Sequence, residues 1–243
     1  MKLFRKILFG ILFIVEISVS AEVVTIAAED DWIPYAREDG TGLSNDIVKA
    51  AFKSVGVEAK YKIFPYSRVL HYLESGEYVA GFNVPADASS RKKFILGKEK
   101  LFDAVSAYYE NITSPMKAKN RDELRNAKRI GVVRGYGYGD HFSNLVKLGR
   151  ISKEVTSSEI SNLKKLALGR IDSTILYRKT SEILISKLKL VQKIKYAFDN
   201  EVTPVYLAFS RLHKKGRYYA KKFDEGMRNI RANGVYQKIV ASY

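Results

Sequence analysis

The chain has 243 residues, no cysteine and a formal net charge of +16 at pH 7. The lack of cysteine excludes a disulfide framework, thiol chemistry and a lipid-modified cysteine anchor, and with only three scattered histidines we expect no zinc site. The charge would suit nucleic acid, an anionic membrane surface or an acidic ligand. Because no nucleic-acid motif or long basic run accompanies it, we expect no nucleic-acid partner.

The N-terminus has the layout of a secretory signal peptide. Basic residues precede an apolar run at 7–15, and small residues follow as far as Ala21. The run is short for a membrane span, although an uncleaved N-terminal anchor is the alternative. We therefore predict that residues 1–21 are a signal peptide and that the mature, exported protein begins at Glu22.

Strands and helices alternate through the first part of the mature chain. Apolar residues at helical or strand spacing predict them. The predicted elements are a strand at Val23–Ala27, a helix that carries Ile47, Val48, Ala51, Phe52 and Val55, a strand at Tyr61–Phe64, a helix at Tyr66–Glu74 and a strand at Val79–Phe82. This β-α-β-α-β order implies a parallel sheet with helices on its faces.

A second α/β unit begins near residue 120, and the segment Phe102–Tyr109 leads into it. Its predicted elements are a strand at Ile130–Val133, a helix from Asp140, a helix with Ile160, Leu163 and Ala167, a strand that ends near Tyr177, a strand at Leu190–Ala197, a helix with Tyr219, Phe223, Met227 and Ile230, and a short helix at Tyr236–Val240. No Pro/Ser-rich linker separates the units, which favours two lobes joined by extended strands.

Two loops have the composition of anion sites. In GFNVPADASSRKKF (81–94), a strand is followed by small residues and then by Arg91, whose guanidinium can form two parallel hydrogen bonds to a carboxylate. In RGYGYGD (134–140), a glycine-rich turn opens a helix whose N–H groups can hold an anion. The second loop lacks the spacing of a dinucleotide site, so we expect no nucleotide cofactor.

Seven stretches, in order, resemble family 3 of the bacterial extracellular solute-binding proteins, the periplasmic binding proteins of polar amino-acid ABC transporters. They are AAEDDWIPYA (27–36), GLSNDIVKA (42–50), YLESGEYVAGF (72–82), SSRKKFILGKEKLF (89–102), AKRIGVVRGYGYGD (127–140), LALGRIDSTI (166–175) and RNIRANGVYQKIV (228–240). The resemblance covers essentially the whole mature chain. It is specific for the fold family, and it does not fix the ligand.

The resemblance implies an α/β, two-lobed periplasmic binding protein fold of type II, in which each lobe is a mostly parallel sheet flanked by helices. Lobe 1 would comprise residues 22–107 and 202–243, and lobe 2 would comprise residues 108–201. The ligand would lie in the cleft, where a hinge motion closes the lobes. A monomer in the periplasm would pass a small carboxylate-bearing solute to an ABC permease in the inner membrane.

The resemblance also implies a set of ligand-binding residues. Arg91 would clamp the carboxylate, and backbone N–H groups near Val84 and Ala86 would assist it. Aromatic rings at the mouth of a cleft can cover the apolar part of a ligand. The remaining candidates are Glu29, Trp32, Tyr35 and Tyr66 in lobe 1, and Gly135, Tyr136, Gly137, Tyr138 and Tyr177 in lobe 2.

The sequence departs from the family pattern at the amino-acid head group. The position five residues after Asp172, where typical members have an aspartate for the ligand's ammonium, is Tyr177, and a hydroxyl donor is replaced by Gly137. A phenol cannot neutralise an ammonium. We therefore predict a wide tyrosine wall that suits an aromatic or larger carboxylate. An ammonium site at Glu29 is the alternative, which keeps amino acids open.

Two other functions remain open at this stage. A dehydratase on the same fold, similar to the cyclohexadienyl dehydratases, would need an acid or base in the cleft, for which Glu29 and His141 are the candidates. A sensory or partner protein would use the fold without transport. We expect a binding protein and not an enzyme, because no set of catalytic residues is evident.

The signal peptide can be tested directly. We expect protein recovered from the periplasm to begin at or near Glu22, because cleavage follows small residues. N-terminal sequencing and intact mass would measure this. A chain that still begins at Met1 and sediments with membranes would contradict it.

Overall fold

The structure, a computed structural model, describes residues 22–125 and 128–243, so the predicted signal peptide lies outside it. The strands are β1 (Glu22–Glu29), β2 (Asp31–Trp32), β3 (Ala36–Arg37), β4 (Val57–Phe64), β5 (Ala80–Pro85), β6 (Phe94–Leu96), β7 (Phe102–Asn111), β8 (Lys128–Val133), β9 (Ile151–Thr156), β10 (Ser173–Tyr177) and β11 (Ile194–Ser210). The helices are α1 (Leu43–Lys53), α2 (Tyr66–Ser75), α3 (Ala88–Lys93), α4 (Gly139–Lys147), α5 (Glu159–Ala167), α6 (Arg178–Lys187), α7 (Gly216–Ala232) and α8 (Val235–Ala241). Within these ranges, no helix has both the length and the apolar character that a membrane span needs.

A curled sheet runs through the molecule in the order β4-β1-β5-β11-β7-β10-β8-β9, and β6 pairs with β11 beside it. Strands β1, β4 and β5 are parallel, as are β8, β9 and β10. Each parallel group is the centre of one predicted lobe. The two α/β units predicted from the alternating pattern are therefore confirmed.

Two long antiparallel strands connect the units. β7 and β11 pair from Ile194 opposite Asn111 to Val205 opposite Phe102, with register shifts at 196–198 and 199–201. The predicted lobe boundaries, 107/108 and 201/202, fall inside these two paired strands. The division of the chain at those residues stays a prediction, and the register shifts mark where the pairing is locally irregular.

The C-terminal helices α7 and α8 pack against the first unit, although they follow the second unit in the chain. Phe52 of α1 and Phe223 of α7 are both fully buried, with ring centroids 5.4 Å apart. Full burial of one such side chain contributes roughly 1.5–3 kcal/mol. This contact attaches the C-terminus to the face of the β1-containing sheet.

Some elements differ from the sequence-based prediction. The strand predicted at Leu190–Ala197 begins instead at Ile194 and continues to Ser210, because its later half pairs with β5 and β7. The strand β9 and the helix α6 were not predicted. β9 lies at the edge of the sheet, and four of its six residues are half-buried or exposed. It therefore lacks the run of apolar residues from which a strand can be predicted.

The close crossing of α1 and α7 gives a test of the packing. A Cβ at Gly226 of α7 would lie 2.1 Å from the carbonyl oxygen of Ala51. At an exposed helix position, alanine stabilises the helix by about 1 kcal/mol relative to glycine. Here we expect Gly226→Ala to lower the free energy of unfolding by about 1–3 kcal/mol, because the overlap forces the helices apart.

Urea unfolding would measure the effect. Arg228→Ala, two residues along on the exposed side of the same helix, is the matched control and should change stability by less than about 0.5 kcal/mol. A stabilised Gly226→Ala variant would contradict the close approach of the two helices.

Candidate functional site

The two α/β units bring an acidic strand end and a glycine-rich turn together. β1 ends at Glu29 and β5 ends at Pro85, so both carboxyl ends lie at one edge of the sheet, where ligands of open α/β sheets bind. The turn after β8 faces this edge from the second unit. Its Tyr136 hydroxyl lies 2.5 Å from Glu29 Oε1 and 2.8 Å from the carbonyl oxygen of Asp31.

Asn83 holds the other oxygen of the Glu29 carboxyl group. Its Nδ2 donates to Glu29 Oε2 at 2.9 Å, and its own Oδ1 accepts from Ser44 Oγ at 2.5 Å. Asn83 has a left-handed backbone with φ 70°, which few residues other than glycine adopt. The Tyr66 hydroxyl donates to its carbonyl oxygen at 3.2 Å, so side chains from α1 and α2 hold this conformation.

Burial controls the charge of Glu29. The residue is 1% exposed, and this desolvation raises its pKa to about 8, against the opposing effect of the hydrogen bonds from Tyr136 and Asn83. The charges of Asp30 and Asp31 raise it further. Near neutral pH the Glu29 carboxyl group is therefore largely protonated in this arrangement.

A second buried carboxyl group comes from the other unit. Glu159, in the first turn of α5, is 4% exposed, and its pKa is raised well above the usual value by burial and then by Asp31 and Glu29. Burial also raises the pKa of Asp31. Within the described residues these carboxyl groups form no cluster arranged to hold a metal ion.

Aromatic rings fill the space next to Glu29. Trp32 is 3% exposed, and its ring centroid lies 4.4 Å from that of Tyr35 and 4.5 Å from that of Tyr177 in the second unit. The Tyr136 ring lies 6.1 Å away, edge-on. Trp32 Nε1 is buried and finds no acceptor among the described residues. The cleft thus contains an uncommitted hydrogen-bond donor beside its acidic groups.

Further contacts join the two units directly. Thr180 Oγ1 donates to the carbonyl oxygen of Ile33 at 2.6 Å. Gly137 allows close approach of the turn, because a Cβ there would lie 2.7 Å from Pro85 Cγ. The Tyr177 hydroxyl donates to the carbonyl oxygen of Gly137 at 3.1 Å, which fixes the turn against β10.

The cleft consists of a small interior and two larger flanking cavities. The interior, beside Glu29 and Trp32, has a volume of about 10 Å³, whereas the flanking cavities measure about 600 and 450 Å³. One water needs about 10–15 Å³, so the interior cannot hold an amino acid in this arrangement. Tyr66 and Tyr136 line all three spaces and form the partition between them.

Half of the sequence-predicted site residues come together at the interior. They are Glu29, Trp32, Tyr66, Tyr136, Gly137 and Tyr177. Gly135 and Tyr138 line the 600 Å³ cavity. However, the Tyr138 hydroxyl accepts a hydrogen bond from Val133 N at 2.9 Å inside the second unit, so the tyrosines do not form the single wide wall that we predicted.

Three other predicted residues are used by the fold itself. Tyr35 is buried and stacks on Phe102 with ring centroids 4.6 Å apart. Val84 is fully buried in β5, and the Ala86 amide donates to the carbonyl oxygen of Pro204 at 3.2 Å. The predicted backbone donors are therefore engaged by the β5–β11 pairing or buried with it.

Arg91 does not reach the cleft cavities. It lies on the exposed side of the short helix α3, while Ser90 and Lys93 of that helix line the 600 Å³ cavity. The Asp87 side chain caps α3 by accepting from Ser90 N at 2.7 Å, which sets the direction of the helix. The predicted role of Arg91 as a carboxylate clamp thus receives no support from its position.

The sequence analysis missed several residues of the cleft. Asn83 was detectable, as a polar residue inside the apolar strand GFNVP. Asp30 and Asp31 follow Glu29 directly and were visible as an acidic run. Glu159 gave no signal, because an acidic residue in the first turn of a helix is ordinary capping chemistry.

His141, the second candidate for an acid or base, lies elsewhere. Its Nε2 is 3.0 Å from Asp122 Oδ1, and it lines a separate cavity together with Pro85, Asp87 and Glu201. Glu29 does not line that cavity. The structure therefore does not bring the two proposed catalytic groups together.

Known proteins resemble this chain along nearly all of its length. The arginine-binding periplasmic protein of Mannheimia haemolytica is 22% identical to this chain, and the matched region covers 97% of this chain and 96% of the relative. A histidine kinase sensor domain with similarity to periplasmic binding proteins superposes with a TM-score of 0.78 at 17% identity, covering 91% of this chain and 95% of its own. An ancestral arginine-binding protein bound to arginine superposes with a TM-score of 0.77 at 18% identity, covering 91% of this chain and 97% of the ancestral protein.

At these identities the superpositions establish the fold alone, and they confirm the two-lobed type II architecture predicted from the sequence. The family assignment rests on a different comparison. The family model of the bacterial extracellular solute-binding proteins, family 3, matches residues 24–243. With this match and the cleft between its two lobes, the chain belongs to family 3 of the bacterial extracellular solute-binding proteins.

Proposed function

We propose that the protein captures an amino acid or a related carboxylate-bearing solute in the periplasm, between its two lobes, and presents it to an ABC permease. The observation that carries the proposal is the buried Glu29 carboxyl group, which accepts hydrogen bonds from both lobes. A ligand that exchanges the Tyr136 hydroxyl for its own donor would contact both lobes at once. Binding and lobe closure would then be coupled.

The charge of the cleft favours a ligand with a cationic group. Glu29, Asp31 and Glu159 have raised pKa values because they are desolvated close to one another. An ammonium or guanidinium group in the cleft would stabilise their ionised forms. Because the M. haemolytica relative is an arginine-binding protein, L-arginine is the first ligand to test. This replaces the aromatic carboxylate favoured by the sequence alone.

The dehydratase alternative has one observation in its favour, the pKa of about 8 at Glu29, which suits proton transfer near neutral pH. It lacks a second group, since His141 lines a different cavity. Incubation with a cyclohexadienyl carboxylate, followed by NMR for loss of water, separates the two functions. A sensory role would use the same binding step, so ligand binding comes first in either case.

The pH dependence of binding tests Glu29. Because a cationic ligand needs the ionised carboxylate and the pKa is about 8, the affinity for L-arginine should rise with pH. The rise should approach about tenfold per pH unit below the pKa and level off above it. Without added ligand, the sign is opposite: the raised pKa means that unfolding releases a proton, so stability falls as pH rises from the ordinary glutamate pKa of 4.5 to about 8.

Titration calorimetry at several pH values, in buffers with different ionisation enthalpies, would measure the affinity and the proton release. Glu29→Gln keeps the size of the side chain and cannot ionise, so it should bind weakly, with an affinity that does not follow pH. A wild-type affinity that is flat between pH 6 and 8 would remove Glu29 from the site.

Tyr136 should compete with the ligand for Glu29. Tyr136→Phe keeps the ring and removes the hydroxyl that occupies Glu29 Oε1. We expect the affinity for L-arginine to rise by about 2–10-fold, the equivalent of one ordinary hydrogen bond. Tyr138→Phe is the matched control, because its hydroxyl bonds Val133 N inside lobe 2 and should affect stability only. Weaker binding by Tyr136→Phe would mean that the hydroxyl contacts the ligand.

A further inference from the structure

A net charge of +16 is not needed by a cleft lined with acidic residues, and part of it is concentrated at the start of α7. Residues 211–222 contain six lysine or arginine residues and no aspartate or glutamate. Six exposed side chains of this stretch form what we call the α7-start surface: Arg211, Leu212, Lys214, Arg217, Tyr218 and Lys221.

The cations of this surface are not used by the fold. Arg217 and Lys221 lie one turn apart on α7, so they project from the same face of the helix, and Lys214 lies in the turn directly before it. Among the described residues, no carboxylate oxygen lies within ion-pair distance of these three side chains, whereas the neighbouring Lys215 pairs with Glu22 at 3.3 Å. Their charge is therefore available to an anionic partner.

An apolar side chain lies among these cations. Leu212 is 72% exposed, the most of any large apolar side chain in the described residues. The Ser210 hydroxyl accepts from the backbone N–H groups of Leu212 at 3.1 Å and His213 at 3.2 Å, and Arg211 donates to the carbonyl oxygen of Arg91 at 3.0 Å. Because hydrogen bonds fix this turn, the fold itself keeps Leu212 in contact with solvent.

The described chain begins on the same surface. Glu22, the first described residue, accepts hydrogen bonds from the Tyr218 hydroxyl at 2.8 Å and from Lys215 Nζ at 3.3 Å. The predicted signal peptide, residues 1–21, joins the fold directly at Glu22. Any contact of that segment with a membrane before cleavage therefore brings the α7-start surface close to lipid headgroups.

We propose that the α7-start surface binds anionic phospholipid membranes reversibly, with its cations at the headgroup phosphates and Leu212 in the interface. Each lysine or arginine near an anionic membrane strengthens binding by about 5-fold. Tyr218 is 43% exposed, and tyrosine is favoured at the boundary between lipid and water. A single apolar side chain inserts weakly, so the charges and Leu212 are needed together.

Nucleic acid is the other polyanion that would attract these cations. Its phosphates offer no favourable environment to an exposed aliphatic side chain such as Leu212, and nucleic acid has no connection with a signal peptide that joins the fold at this surface. Both observations favour the membrane. The inference goes beyond ligand capture and does not depend on it, since the surface lies outside the cavities of the cleft.

The test measures sedimentation of the exported protein with sucrose-loaded vesicles. One set consists of phosphatidylcholine alone, and the other of equal parts phosphatidylcholine and phosphatidylglycerol. We expect the protein to sediment only with the vesicles that contain phosphatidylglycerol. Binding should be lost in about 1 M salt, where the Debye length is about 3 Å.

Two variants locate the binding surface. Lys214→Gln/Arg217→Gln should weaken binding to the anionic vesicles by about 10–30-fold, because two cations are removed. Leu212→Ser should weaken it by about 3–10-fold, because less apolar surface leaves water. All of these side chains are exposed, so the midpoints of urea unfolding should match that of the wild type.

Matched control variants lie on the second unit. Lys164→Gln/Lys179→Gln removes the same charge from exposed positions of α5 and α6. Leu168→Ser removes a leucine that is 65% exposed at the end of α5. Both controls should bind the vesicles within about 2-fold of the wild type.

Each other result contradicts the inference in a specific way. Sedimentation that does not depend on phosphatidylglycerol would exclude an anionic membrane as the partner. An equal loss in the Lys164→Gln/Lys179→Gln control would show that net charge acts without a defined surface. Wild-type binding by Leu212→Ser would show that the leucine does not enter the membrane. Binding of a short DNA duplex that requires Lys214 and Arg217, without binding to vesicles, would assign the surface to nucleic acid.

Discussion

The burial of the Glu29 carboxyl group between the lobes is the constraint on which the cleft depends. A buried carboxyl group must be neutralised or hydrogen-bonded, because desolvation of its charge is costly. Both oxygens of Glu29 are satisfied, one by Asn83 of its own lobe and one by Tyr136 of the other. The position of the second lobe is thus linked to the protonation of one side chain in the first.

The continuous sheet links the contact between Glu29 and Tyr136 to the relative position of the two lobes. β7 and β11 continue from one unit to the other, so the lobes share a hydrogen-bonded ladder and not a loose linker. Irregular pairing at 196–198 and 199–201 gives that ladder places where it can bend. A contact between the units, such as that of Thr180 with the carbonyl oxygen of Ile33, then constrains the angle between the lobes.

The sequence predicted the parts of the fold that have strong hydrophobic periodicity. Buried residues such as Ile47 and Phe223 recur at helical spacing, and their helices were found. α6 was missed because its apolar positions are few, and it is held by neighbours that only the folded chain provides. The cleft residues Glu29 and Tyr136 could be predicted through family resemblance. The direction of Arg91 could not, because the Asp87 cap and the packing of a six-residue helix decide it.

Binding must exchange one set of cleft contacts for another. The interior of about 10 Å³ is filled by Trp32, Tyr177 and Tyr136, so a ligand gains only the difference between its own contacts and those it displaces. The Tyr136 hydroxyl is a neutral donor to Glu29, whereas a cationic ligand can stabilise the ionised carboxylate. Under the proposed function, selectivity for charge would follow from this difference, since a neutral ligand would replace Tyr136 without gain. The Tyr66–Tyr136 partition, with ring centroids 5.2 Å apart, separates this interior from the two larger flanking cavities.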